Sequence, residues 1–178
     1  MKLSTSIILA LTSTVISATP HALSRRVADP TGVQDAIIQW LADIAAVNNF
    51  LNIAGNIDPD AVADAMAVLP MAMDEPVQLM NLAGDVLPTD TQAQNAIQEL
   101  MTNFPTVPMA LMTIAMSGGD QSVIQTQVNI INDIRCEIVL PNIGMLFNAA
   151  AAENGLGAQA TPPGPVVCPN PPTFADGS

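Results

Sequence analysis

Two pairs of acids, Asp58 with Asp60 and Asp74 with Glu75, are spaced in a way that invites acid and base chemistry. Hydrolysis of a glycosidic bond needs one carboxyl to donate a proton and a second to act as base or nucleophile. Sugar sites also want aromatic platforms, and the chain offers one tryptophan, Trp40, four phenylalanines and no tyrosine. Each acid pair also precedes an apolar periodic stretch, where side-chain oxygens cap free backbone N–H groups and complement the helix dipole. Capping accounts for these acids without catalysis. Asp58, Asp60 and Asp64 supply the hard oxygen ligands that calcium prefers, but the spacing departs from the EF-hand loop and its twelfth-position glutamate. No catalytic residue, metal or cofactor is therefore expected, and a carboxylate-based hydrolase is the weakest of three functional readings.

The basic residues narrow the chemistry further. The one histidine, His21, lies close to the N-terminus, and beyond Arg26 the only basic residue is Arg135, against all 16 acids. Mechanisms that activate a serine or cysteine need an imidazole near the nucleophile, and Schiff-base chemistry needs a lysine. A chain with one cation among 16 acids is repelled by phosphates, so no nucleic-acid partner is expected. Arg135, next to Cys136 and two residues after Asp133, is expected to pair with a nearby acid or cap carbonyls or, as a ligand anchor, to hold a carboxylate head group.

Met66, Met71, Met73, Met80, Met101, Met109, Met112, Met116 and Met145 make the chain rich in flexible, polarizable side chains. Such residues either fill a loosely specified core or line a site that adapts to apolar partners. The second possibility predicts an apolar small molecule held between helices by Met66, Met101, Met109, Met112 and Met116, with Arg135 beside them.

The elements that would position these residues are helical throughout. Val33, Ile37, Trp40, Leu41, Ile44, Val47 and Leu51 recur at spacings of three and four, predicting a helix over Val33 to Ile53 that Gly55 ends. Asp58-Pro59 starts a second helix to about Leu69 with Val62, Met66 and Leu69 on its apolar side. Pro70 and Pro76 are expected to break it, and Asp74-Glu75-Pro76 to begin another short helix to Leu82, closed by Gly84. Thr89 or Asp90 caps a helix through Ala93, Ile97, Leu100, Met101 and Phe104, and Pro105 interrupts it. Pro108 opens a helix over Met109 to Met116, closed by Gly118-Gly119, and Asp120 caps one carrying Val123, Ile124, Val128, Ile131, Ile134 and Ile138. Pro141 kinks or ends that helix, and a last one runs from Asn142 to about Glu153. The fold class expected is all-α: a compact bundle of about six to eight short, proline-punctuated helices, without strands.

The ends set the compartment. Residues 1–18 have a weakly positive start at Lys2, an apolar stretch from Ile7 to Ile16 and the small pair Ser17 and Ala18, which is the layout of a secretory signal peptide cleaved after Ala18. Arg25-Arg26 is a dibasic processing site ending a short propeptide, 19–26. The mature product then comprises a helical domain, 27–155, and a Pro/Gly-rich tail, 156–178. No transmembrane anchor is expected, since the most apolar later stretch, Val107 to Met116, is far shorter than a span. An exported chain with two cysteines should join them, so Cys136 and Cys168 are expected to form a disulfide that ties the tail back across the bundle. No Asn-x-Ser/Thr sequon is present, so N-glycosylation is not expected.

Arg135-Cys136-Glu137-Ile138-Val139-Leu140-Pro141, then Phe147-Asn148 and the alanines 149–152, then a Pro-rich tail holding Cys168, resemble a group of small secreted, cysteine-paired, helical proteins of filamentous fungi. The resemblance is specific over roughly the C-terminal third; it implies export and assigns no activity. A looser similarity, in size and helicity, is to fungal proteins that coat hydrophobic surfaces. Two further readings follow. One is a secreted non-enzymatic binder of an apolar small molecule or hydrophobic surface. The other is an effector-like protein contacting a host or cell-wall protein, which predicts an exposed apolar patch instead of a cavity.

Overall fold

The computed structural model describes residues 29–56, 58–159 and 161–168. The expected signal peptide and processing site, with Ala18, His21 and Arg25-Arg26, and the end of the tail lie outside them. Six α-helices follow one another among the described residues: α1 (Pro30–Ala54), α2 (Ala61–Ala83), α3 (Thr91–Asn103), α4 (Thr106–Ala115), α5 (Gln121–Ile134) and α6 (Leu140–Glu153). A π-helical turn, Arg135–Val139, joins α5 to α6 without a break, and only Phe104 and Pro105 separate α3 from α4. The helices therefore group into four long rods, and no strand occurs among the described residues.

Local signals set most of the rod ends. The side chains of Asp29, Asp90 and Asp120 accept hydrogen bonds from first-turn backbone N–H groups of α1, α3 and α5, supplying partners that a helix start otherwise lacks. Gly55 and Gly84 follow α1 and α2. Gly118 and Gly119, both at positive φ, turn the chain between α4 and α5. Asp58 does not start α2 as expected: its Oδ1 accepts the Asp60 N–H at 2.9 Å, forming a turn that places Asp60 at the cap.

Helix α2 departs from expectation in two ways. Pro70 and Pro76 do not break it; both lie inside one 23-residue helix. Each proline removes a backbone bond at a cost of about 3 kcal/mol in a helix interior. Burial of Ala65, Val68, Ala72, Leu79 and Leu82 on both sides of the prolines offsets that cost. The buried face is also a different one. Val62, Met66 and Leu69 were expected on the inner side; Leu69 packs partly buried against the core and Val62 is half-buried, but Met66 is exposed, and Ala61, Ala65, Val68 and Ala72 are the residues buried in the cluster with α1 and α4. Alanine lets helix axes approach closely, so the alanine face packs and the methionine face turns outward.

The core forms two clusters along the α1–α2 pair. In the first, Val33, Ile37, Trp40 and Ile44 meet Leu79 and Leu82, with Leu100 and Phe104 from the α3 side and Ile143, Leu146 and Phe147 from α6. Trp40 anchors it, 5.8 Å from Phe104 and 5.4 Å from Phe147 between ring centroids. In the second, Val47, Leu51 and Ala54 meet Ala61, Ala65 and Ala72, with Leu111 and Ile114 of α4 and Ile124 and Ile131 of α5. The N-terminal half of α1 thus pairs with the C-terminal half of α2 and the reverse, so the two run antiparallel. The π turn lets one rod serve both clusters, because its extra residue rotates everything after it by about 100°. Its register shows in the Leu140 N–H, which bonds to the Arg135 carbonyl.

Cys136 and Cys168 are joined, with Cα atoms 5.3 Å apart. The tail is further held where Asn48 Nδ2 donates to the Pro163 carbonyl at 2.7 Å and the Val166 N–H donates to Asn52 Oδ1 at 2.7 Å. A Cβ at Gly164 would lie 2.7 Å from Cys168 Sγ, so glycine is what lets the tail turn against the bridge.

Candidate functional site

Between the two core clusters lies a belt of buried polar side chains. α1 contributes Asp43 and Asn48, α2 contributes Glu75 and Gln78 with the half-buried Asp74 at the edge, and the π turn contributes Arg135. Asp43 sits three residues after Trp40 and four before Val47, on the face that α1 buries, and Asn48 sits four after Ile44 and three before Leu51. Both are carried inward by the helix period.

Arg135 is 0% exposed and its Nη1 donates to Glu75 Oε1 at 2.8 Å, with Glu75 1% exposed. Nη2 donates to Asn48 Oδ1 at 3.3 Å, and Trp40 Nε1 donates to Glu75 Oε2 at 3.4 Å. Asn48 passes the contact on to the tail through its bond to Pro163. Arg135 Nε has no partner. Both charges of the pair are desolvated, so their mutual attraction is largely spent on offsetting the loss of water. The expected pairing of Arg135 with an acid is thus met by Glu75, 60 residues away. Glu75 belongs to the middle of α2 and not, as its sequence context suggested, to a first turn.

Beside this pair, Asp43 is 4% exposed. Its Oδ1 accepts from Gln39 Nε2 at 3.2 Å, while Oδ2 meets no donor. Burial pushes the Asp43 carboxyl up to about 6, aided by a hydrogen bond with the Asp74 side chain and by the negative charges of Asp74 and Glu75; Gln39 pulls the other way. Two carboxylates can share a hydrogen bond only when one carries a proton. Asp74 is held from the far side by Gln78 Nε2 at 2.8 Å, and Gln78 Oε1 accepts from Asn81 Nδ2 at 3.3 Å.

The acid pairs read from the sequence separate. Glu75 turns inward to Arg135, whereas Asp74 turns to Asp43, as neighbours on a helix must. Asp58 holds the turn before α2, Asp60 stands at its N-cap position and Asp64 lies in its first turn, and no cluster of three or more His, Cys, Asp or Glu side chains suited to a metal ion occurs among the described residues.

The methionines form the second candidate surface. Met66, Met101, Met109, Met112 and Met116, expected to line a site between helices, lie on outer faces instead, together with Met71, Met73 and Met80. These eight are 39 to 73% exposed, and no methionine belongs to either core cluster. Met66, Met73 and Met80 recur every seven residues and so lie along one side of α2 over about 21 Å. Met109, Met112 and Met116 share the side of α4 opposite its buried Val107, Leu111 and Ile114. Arg135 is remote in character from these side chains, being enclosed with Glu75 and Asn48. Among the described residues no helix is long and apolar enough to cross a membrane.

No family model, curated protein or solved structure matches this chain. Its function must therefore be argued from its own residues.

Proposed function

We propose that this is a secreted, non-enzymatic protein that engages an extended apolar surface through the methionine faces of α2 and α4. The observation that carries the reading is the exposure of eight methionines by a chain whose core takes none. A long, unbranched thioether conforms to irregular apolar surface, and several in a row on a rigid helix present an adaptable strip. Excess negative charge keeps such a molecule soluble until it meets that surface. The disulfide and the N-terminal sequence support export.

Retention of the purified protein on octyl-coated silica, followed by depletion from solution, tests the reading. Saturable retention is expected, with a loss of about tenfold or more when Met66, Met73 and Met80 are all replaced by glutamine, since each buried methionine contributes roughly 1.5 to 3 kcal/mol. Equal retention of the variant and the parent would overturn it.

The seven-residue spacing on α2 favours one alternative, contact with a host or cell-wall protein that offers a helix or groove. That reading predicts a saturable protein partner and indifference to bare alkyl surfaces.

A further inference from the structure

The side chains excluded from the core are also the most readily oxidised ones that the protein exposes. Among the described residues both cysteines are joined in the disulfide, Trp40 is fully buried, and the chain has no tyrosine. Eight thioethers remain open to solvent. Met145 differs from them in being partly buried, its Sδ accepting from Gln92 Nε2 at 3.4 Å. Methionine usually fills cores, so its oxidation usually disrupts them. Here neither core cluster holds a methionine, so oxidising all eight changes none of the side chains that form the two clusters. The same change places polar oxygens along the apolar strips of α2 and α4.

We propose that the eight exposed methionines form a peroxide-sensitive switch, which hydrogen peroxide oxidises without unfolding the bundle and which thereby releases the protein from apolar surfaces. The release rests on the function proposed above, whereas the tolerance of the fold rests only on burial. In each step a thioether lone pair attacks one peroxide oxygen; an S–O bond forms as the O–O bond breaks. Sulfur gives up two electrons, and the second oxygen leaves as water with both peroxide protons. Methionine sulfoxide reductases reverse the change, one enzyme for each sulfoxide epimer.

The test treats the purified protein with graded hydrogen peroxide and follows oxygen uptake by intact mass and peptide mapping, melting by circular dichroism, and retention on octyl-coated silica. Uptake at the eight exposed methionines ahead of Met145 is expected, with the melting temperature within about 3 °C of the untreated protein, as for surface changes that leave the core alone. Retention should fall about tenfold or more and return after reductase treatment. A variant with leucine at Met66, Met73, Met80, Met109, Met112 and Met116 should stay retained after peroxide. Melting that collapses with the first oxygens taken up, or fully oxidised protein retained like the untreated one, would overturn the switch. So would loss of retention by the leucine variant on oxidation. Untreated protein that is not retained at all overturns the proposed function and the release with it, while mass and melting still decide whether the fold tolerates oxidation.

Discussion

The belt around Arg135 and the outer sides of α2 and α4 are opposite departures from the usual layout of a soluble domain. One region buries a guanidinium and four acid or amide groups where apolar residues would pack; the other exposes seven methionines where charges would stand. The difference lies in what each region is specified by. The belt is tied by directed bonds from α1, α2, the π turn and the tail, so every member constrains the others. The methionine faces carry no such ties, and their side chains are free to conform to something else. Stability should accordingly reside in the first region and engagement in the second.

Breaking the buried pair from one side should have the largest effect. Glu75→Ala leaves a guanidinium enclosed without a counter-charge and should destabilise by roughly 3 to 5 kcal/mol in urea unfolding. The double replacement Glu75→Leu with Arg135→Met should recover most of that loss, because neither charge is then stranded. A double variant as unstable as the single one would show that the belt is held by packing, not by the charge pair.

Loss of the disulfide ranks next. Cys136→Ser with Cys168→Ser opens a loop of 32 residues and should cost about 3 to 4 kcal/mol in the chain-entropy picture, read by the same unfolding measurement.

The Asp43 carboxyl gives a smaller effect with a defined sign. Its pKa in the fold, about 6, stands above the ordinary 3.8, so the folded state holds this proton more tightly than the unfolded chain does. Its contribution is fully present below about pH 4 and is lost as the pH rises through 6, a difference on the order of 2 kcal/mol. Asp43→Asn should flatten the part of the melting profile between pH 4 and pH 7 that this group causes. An unchanged pH profile in the variant would assign the dependence to other acids.

Smallest of all should be the stability effect of changing the methionine faces. Met73→Gln is expected to shift unfolding by no more than about 0.5 kcal/mol, as for an exposed site outside the core. A loss several times larger would erase the contrast between the two regions.

Much of the helical frame was readable from residue types. Asp90, Asp120, Gly55 and Gly84 act where local capping chemistry places them, and two cysteines behind an export-like N-terminal sequence were enough to expect the bridge. Pro70 and Pro76 misled because a proline's local cost is outweighed by burial along the rest of α2, which no window of sequence displays. The same helix has two apolar sides, and hydropathy alone favours the larger methionines for the interior; the need of α1 and α4 to approach closely chose alanine. Glu75 was legible as an acid but not as the partner of Arg135, since their meeting depends on the register of α2 against the π turn. Asp43 could have been found: an acid spaced three from Trp40 and four from Val47 stands on a face that is otherwise apolar.

The bridge from the π turn to the tail encloses α6 in a covalent ring. A backbone cut at the exposed stretch around Gly157 and Ala158 would not part the molecule, because both fragments remain linked through Cys136 and Cys168. The nicked protein would run as one species on a non-reducing gel and separate only when a thiol is added. Where proteases are common and reductants scarce, a severed chain of this kind would keep the tail segment that carries Cys168 attached to the bundle.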